Sequence, residues 1–207
     1  LYCSRNVPPF SDTLKMLSHA GYKAVEGYGG ILAQPEALKA DLDRNGLTMV
    51  SSHMGLDDIE ADPARALAIA RLLGMEAVFV PFVMPDDRPT DADGWRAFGK
   101  RIAKAGKPFK DAGIKFGWHN HDFEFVALST GEMPIDLIAD ADASLMLELD
   151  LGWVARAGLD PGAGIEKYAG CSGAVHGKDI APAGERGGEG GRADGGPGGL
   201  AGAATQG

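Results

Sequence analysis

The chain has 207 residues, a formal net charge of −9 and a sequence pI near 5.0. This length allows one sizeable core, and the negative charge disfavours binding to a phosphate backbone. Cys3 and Cys171 are too few for a disulfide framework, which fits a reducing compartment. No stretch reaches the roughly 18 apolar residues that a membrane span needs. We therefore expect one cytoplasmic domain that binds neither nucleic acid nor membrane, and the sequence leaves a homo-oligomer open.

Capping residues, prolines at helix starts and apolar spacing predict six helices. They span residues 11–20, 35–45, 63–73, 91–112, 134–140 and 161–168. We expect a break or kink in the fourth, because Gly99, Gly106 and Pro108 each weaken a helix interior.

Short apolar runs alternate with these helices and predict strands. They span residues 23–27, 47–53, 77–82, 114–121, 144–150 and 172–176, and a seventh strand is expected at 1–5. The alternation is typical of βα units around a parallel sheet, and a closed eight-stranded barrel typically takes about 250 residues. The predicted fold class is therefore α/β: a (β/α)8 TIM-barrel-like domain over residues 1–180, with the eighth strand missing. Residues 181–207 are Gly-rich and are predicted to be a disordered tail or a flexible linker.

Residue parity assigns the polar side chains of the fourth strand to one side, since alternate residues of a strand face opposite ways. The helix-facing side of the run at 114–121 is indicated by its alternating apolar side chains, Ile114, Phe116 and Trp118. His119 and His121 are then expected to face the barrel interior together.

The fifth strand shows the same separation. Leu145, Leu147 and Leu149 predict the helix-facing side of the run at 144–150. Glu148 and Asp150 are therefore expected to face the interior as well.

Further polar residues stand where predicted strands end. Glu26, His53 and His176 are at or near carboxyl ends of strands, whereas His19 lies on the first helix and is expected at the surface. In barrels the carboxyl ends form the face that carries the active site, called the carboxyl rim below. Imidazoles and carboxylates gathered there are the ligands of a divalent metal ion such as Mn²⁺, Mg²⁺ or Zn²⁺.

Three segments carry a family resemblance. Residues 119–125 read HNHDFEF, residues 148–153 read ELDLGW and residues 176–179 read HGKD. They resemble the xylose isomerase-like sugar phosphate isomerase/epimerase superfamily of TIM barrels, in particular the branch with the HNHDFEF signature.

The resemblance implies a divalent metal ion held at the carboxyl rim by carboxylates and a histidine. Asp150 and His176 match the ligands of the sixth and seventh strands of the family. In the family the fifth strand often supplies a Glu, and His119, in the fourth strand predicted above, stands at that position. Glu148 and Glu124 are alternatives for that carboxylate. The family's eighth strand supplies a further acidic residue, and no segment of this chain matches it.

The function predicted from these residues is a metal-dependent sugar isomerase or epimerase that removes a proton beside a carbonyl, through an enediolate. His121 is the first candidate base because an ordinary imidazole titrates near neutrality; Glu124 is the second, and Lys178 is placed to polarise an oxygen. Contacts with the sugar or keto-sugar are assigned to Glu26, His53, His119 and Trp153. Three alternatives stay open: a keto-glycoside lyase or hydrolase, a non-catalytic sugar-binding remnant, and an endonuclease acting on abasic DNA.

Overall fold

The computed structural model describes residues 1–5 and 9–178. Six parallel strands form one curled sheet in chain order, each pairing with the next. The strands are β1 Ala24–Gly27, β2 Thr48–His53, β3 Ala77–Val80, β4 Lys115–His119, β5 Met146–Asp150 and β6 Ser172–His176. Within the described ranges the architecture is therefore an incomplete TIM barrel, as the alternating pattern predicts.

Helices connect successive strands. They are α1 Phe10–His19, α2 Pro35–Arg44, α3 Leu56–Ala61, α4 Pro63–Leu73, α5 Ala92–Asp111, α6 Pro134–Ala139, α7 Leu151–Arg156 and α8 Pro161–Tyr168. The six predicted helices are confirmed to within a residue or two. Sequence reasoning missed α3 and α7, which are too short to show apolar periodicity. No helix of the described ranges is both long enough and apolar enough to cross a membrane.

Local chemistry explains where α4 begins and ends. The Asp62 carboxylate accepts a hydrogen bond from the Arg65 amide at 2.9 Å, and Pro63 occupies the first turn. Gly74 ends the helix with a φ of 73°, in the left-handed region that glycine tolerates. These signals are local, which is why the predicted bounds of this helix agree with the structure.

Several predicted strand bounds are wrong: β4 ends at His119 rather than at residue 121, and β5 begins at Met146 rather than at residue 144. Residues Tyr2–Ser4 form a short 3-10 helix instead of a first strand, with the amino terminus donating a 2.8 Å hydrogen bond to the Glu26 carbonyl. The third strand ends at Val80 because Pro81 has no amide hydrogen to continue the ladder. The predicted disordered tail, 181–207, lies outside the described residues.

Of the break or kink predicted in the fourth helix, the break is wrong, because α5 is one continuous helix of 20 residues; the kink stays a prediction. Its glycines serve close packing instead. A Cβ on Gly106 would lie 2.4 Å from Phe116 Cδ1, and one on Gly99 would lie 2.6 Å from the Ala141 Cβ. Only glycine lets α5 lie this close to β4 and to the chain after α6.

The parity assignment is confirmed for the residues within β4 and β5, whereas His121, which was expected on the same strand face as His119, lies beyond the end of β4. Trp118 is fully buried, and its ring centroid lies 5.3 Å from that of Phe98 on α5. Leu147 and Leu149 are buried in the same hydrophobic core. Buried polar side chains instead collect towards the carboxyl ends of the strands. They include Ser52, His119, Asn120, Glu124, Glu148 and Asp150.

Candidate metal centre and active site

Four side chains from four strands converge at the carboxyl rim: His53, His119, Glu148 and His176, called the His/Glu cluster below. One potential ligand atom of each lies within 4.8 Å of the others. Glu148 is at their centre, with Oε2 at 2.5 Å from His53 Nε2 and 2.9 Å from His119 Nδ1. Its other oxygen, Oε1, is 3.4 Å from His176 Nε2. Three imidazoles thus face one carboxylate that is 1% exposed.

Glu26 joins this group from β1. Its Oε1 lies 2.8 Å from His176 Nε2 and 3.5 Å from His53 Nε2. Its Oε2 accepts a 2.6 Å hydrogen bond from the Ser51 hydroxyl. The Glu26 side chain keeps 20% of its exposure, so this carboxylate is partly open to solvent at the rim.

Asp150 lies beside the His/Glu cluster but is not one of its four members. Its Oδ2 is 2.8 Å from Lys178 Nζ, 3.7 Å from His176 Nδ1 and 3.9 Å from His119 Nε2. The Oδ1 atom accepts a 3.1 Å hydrogen bond from the Trp153 amide, capping α7. Asp150 therefore faces the imidazole nitrogens turned away from Glu148.

Burial and charge set the ionisation of these groups. Burial acts to raise the pKa of Glu148, but His53, Glu26 and His176 together outweigh it, and the net shift is downward. Burial is likewise outweighed at Asp150, where His176 and Lys178 lower the pKa to about 2. For His176 the two effects have the opposite signs: burial lowers its pKa, but Asp150 and Glu26 raise it to about 10. Both acids of β5 are therefore carboxylates at neutral pH.

His119 behaves differently from His176. Burial, followed by the charges of His53 and His176, holds the pKa of His119 well below its ordinary value. A neutral imidazole is the form that coordinates metal ions, so an ion would find His119 ready to bind and would have to displace the proton that Asp150 and Glu26 stabilise on His176.

His121 lies beyond the end of β4, in an aromatic environment. Its ring centroid is 5.1 Å from those of His119, Phe82 and Trp153, and 6.0 Å from that of Phe123, which lies nearly parallel to it. The buried Nδ1 atom has no hydrogen-bond partner among the described residues. Burial lowers the pKa of His121 to about 3, so the expectation that it titrates near neutrality is wrong.

Glu124 is fully buried in the loop after β4. Its Oε1 accepts a 2.8 Å hydrogen bond from Trp118 Nε1, and its Oε2 accepts a 2.9 Å hydrogen bond from the His121 amide. Both oxygens are thus engaged within the segment that carries the histidines. This places Glu124 as a support of that loop.

Lys178 and Trp153 contact each other at the rim. The Lys178 ammonium lies 4.0 Å from the centroid of the Trp153 ring, and the Arg156 guanidinium lies 5.3 Å from it. Both cations therefore lie close to the indole ring of Trp153.

Comparison with models of protein families gave no match, and comparison with curated protein sequences gave none either. Solved structures do match. A sugar phosphate isomerase/epimerase from Parabacteroides distasonis superposes with a TM-score of 0.76 at 23% identity, covering 89% of this chain and 76% of that one. The chain has a TIM-barrel fold.

Two further barrels of known structure show how widely this fold is shared. The 3-keto-D-glucoside 4-epimerase from E. coli matches with a TM-score of 0.62 at 16% identity, covering 82% of this chain and 73% of that chain. A family 2 AP endonuclease from Brucella melitensis matches with a TM-score of 0.66 at 17% identity, covering 83% and 74% respectively. At these identities the likeness concerns the fold, so the reaction must be argued from the site.

The donors of the His/Glu cluster fit a divalent metal ion. Three imidazole nitrogens and one carboxylate oxygen suit Zn²⁺ or Mn²⁺, whereas Mg²⁺ prefers oxygen ligands and water. The cluster contains two of the three ligands predicted from the sequence, Glu148 and His176. It adds His53 and His119, which sequence reasoning had assigned to substrate.

Sequence reasoning missed several residues that build the barrel's rim. The Asn120 side chain accepts a 2.9 Å hydrogen bond from the Asp150 amide and donates one of 3.3 Å to the Asp150 carbonyl, which ties the ends of β4 and β5 together. Ser51 has the same strand parity as His53, a signal that could have revealed it. Phe82 and Arg88 lie in an irregular loop, where no periodic pattern identifies them.

Proposed function

We propose that this barrel is a metal-dependent sugar isomerase or epimerase that moves a proton next to a carbonyl through an enediolate. The observation that carries the proposal is the convergence of four potential ligands from four different strands on one rim. Glu148 and His176 are proposed ligands together with His53 and His119. Asp150 is a ligand candidate only for an ion on the other side of these imidazoles, since its Oδ2 lies within 3.9 Å of the His119 and His176 nitrogens that are turned away from Glu148.

A bound divalent ion would act as a Lewis acid on the carbonyl and an adjacent hydroxyl of the sugar. Among the chain's own groups, Glu26 is the proposed proton acceptor, because its carboxylate is partly exposed beside the cluster. Lys178 is placed to donate a hydrogen bond to an oxygen that gains negative charge. His121 and Glu124 are proposed to hold the loop after β4, since the first is a weak base and the second is fully buried within that loop, unlike Glu26.

Two other reactions have specific support. A 3-keto-glycoside is a second candidate substrate, because the E. coli neighbour is a 3-keto-D-glucoside 4-epimerase. Transfer of the C2 proton of such a sugar to a base would allow the C1–O bond to break, and the aglycone would leave as an alcohol once it takes up a proton, which is the reaction of a lyase; removal of the C4 proton would lead to epimerisation instead. The AP endonuclease neighbour favours abasic DNA, but the net charge of −9 opposes binding to a polyanion. We place the reaction in the cytoplasm, since both cysteines are free.

Metal binding can be tested directly by equilibrium dialysis against Mn²⁺ or Zn²⁺, followed by metal analysis. We expect one ion per chain, and at least a roughly tenfold weaker affinity in His119→Ala, which loses a ligand from the centre of the cluster. His19→Ala is the matched control, because His19 is exposed on α1. Unchanged affinity in His119→Ala would show that the cluster is not the metal site.

Activity is tested by exchange of the proton beside the carbonyl of ketoses and 3-keto-glycosides in D₂O. Removal of metal with EDTA should abolish exchange, and Mn²⁺ should restore it. Exchange that persists without metal would refute the Lewis-acid proposal, whereas metal binding without exchange or elimination on any substrate would favour the sugar-binding remnant. Salt-sensitive binding to abasic DNA would instead favour the endonuclease.

A further inference from the structure

Arg88 is held rigidly in the loop between β3 and α5, at the carboxyl rim. Its guanidinium carbon lies 3.5 Å from the centroid of the Phe123 ring and 5.2 Å from that of Phe82. Its Nε donates a 3.2 Å hydrogen bond to the Val83 carbonyl. These contacts fix the plane of the guanidinium while leaving its two terminal nitrogens available, which is the geometry for bidentate binding of an anion.

Arg88 differs from two neighbouring cations of the rim. Lys178 pairs with Asp150 at 2.8 Å, and Arg156 pairs with Asp122 at 3.1 Å. Among the described residues, no carboxylate forms such an ion pair with Arg88, although its side chain is half-buried. Removing a charge from water is unfavourable, and burial accordingly lowers the pKa of Arg88; the charges of Glu124 and Asp122 act the other way but offset burial only in part. An anionic ligand would offset that penalty.

The position of Arg88 relates it to the His/Glu cluster. The Phe82 ring, over which the guanidinium lies, is 5.1 Å from the His121 ring, and His121 is 5.1 Å from His119. Two ring contacts therefore separate Phe82 from a proposed metal ligand. Phe82 and Phe123 offer apolar surface between the two positions, of the kind that packs against the C–H groups of a sugar.

We propose that the substrate carries a carboxylate or a phosphate at the end remote from its reacting carbonyl, and that Arg88 binds this group. The inference rests on the proposed function, because it takes the substrate to be a sugar bound at the His/Glu cluster. It adds a specificity determinant on the loop after β3. A planar guanidinium suits both anions, so the arms of the experiment must separate them.

The experiment compares three ligands of Mn²⁺-loaded protein by calorimetric titration: fructose, fructose 6-phosphate and fructuronate. We expect one of the two anionic ligands to bind roughly 10- to 100-fold more tightly than fructose, as for a hydrogen-bonded charge pair. Arg88→Gln should remove this preference and leave the affinity for fructose unchanged. Arg88→Lys keeps the positive charge but lacks the two parallel donors of the guanidinium, so it should retain only part of the preference for the anionic ligand. Arg71→Gln, which removes an exposed charge in the last turn of α4, is the matched control.

Equal affinity of the wild-type protein for all three ligands would overturn the proposal. So would a parallel loss of all three affinities in Arg88→Gln, since that result would assign Arg88 to packing on Phe123. The comparison of anionic with neutral ligands also identifies whether phosphate or carboxylate is preferred. Mn²⁺ binding and EDTA-sensitive proton exchange, measured on the same variants, report on the proposed function separately. If Mn²⁺ binding and proton exchange are absent but the protein still prefers the anionic ligand, the proposed reaction is refuted and the anion site is not.

Discussion

Replacing Glu124 by Gln should flatten the pH dependence of this protein's stability. The carboxyl group is fully buried and accepts hydrogen bonds of 2.8 Å from Trp118 and 2.9 Å from the His121 amide. Burial outweighs these hydrogen bonds and raises the pKa of Glu124 from 4.5 to about 8. Gln has nearly the same shape but does not ionise, so the variant isolates this titration.

The magnitude follows from the linkage between proton binding and folding. The folded-state pKa lies above the unfolded one, so the contribution of Glu124 to stability is fully present below pH 4.5 and is lost as the pH rises through 8. Within this window the free energy of unfolding falls by about 1.4 kcal/mol per pH unit, or about 5 kcal/mol in all. The amide of the variant leaves one of the two donors without an acceptor, which subtracts about 1–3 kcal/mol at every pH. Wild type should therefore be the more stable protein at the acidic end and lose that advantage towards pH 8.

The assay is urea unfolding followed by tryptophan fluorescence, repeated in steps between pH 4.5 and 8. The quantity that decides is the wild-type free energy of unfolding minus that of the variant, because other titrating groups cancel in it. Glu36→Gln, at an exposed position in the first turn of α2, is the matched control and should follow wild type. Parallel pH profiles for wild type and Glu124→Gln would refute the reasoning.

Two further predictions concern packing and a buried hydroxyl. Gly106→Ala should destabilise the fold by about 1–3 kcal/mol, because the new Cβ would lie 2.4 Å from Phe116. Gly164→Ala in α8 should instead stabilise the fold by about 0.5–1 kcal/mol, because the atom nearest to the new Cβ, Val154 Cγ1, is 3.6 Å away. A higher melting temperature for Gly106→Ala than for wild type would contradict this explanation of the two glycines. Tyr168→Phe removes a 2.7 Å hydrogen bond to Asp136 and should cost about 1.5 kcal/mol in urea unfolding. Burial and Asp136 raise the pKa of Tyr168, so this tyrosine should not ionise while the protein is folded, and wild type and variant should give the same phenolate titration up to the alkaline unfolding transition; a phenolate transition present only in folded wild type would contradict this assignment.

Much of the barrel could be predicted because its signals are local. Helix starts depend on a few adjacent residues, as Asp62 and Pro63 show, and the face of a strand depends on parity alone. Parity correctly brought His119 and Glu148 into one interior. The continuity of α5 was not predictable in this way, since Gly106 weakens a helix by itself and is favourable only against the Phe116 ring.

What the sequence alone determined is therefore the order of the βα units and most of the polar side chains that share the carboxyl rim. Tertiary structure decided which of them meet, because parity fixes the direction of a side chain but not its distance from another strand. That is why His53 lies 2.5 Å from Glu148 while Asp150 pairs with Lys178. The tertiary structure also decided the chemistry of His121, because burial lowers the pKa of this imidazole to about 3. Burial depends on contacts between distant segments, and no local pattern encodes it.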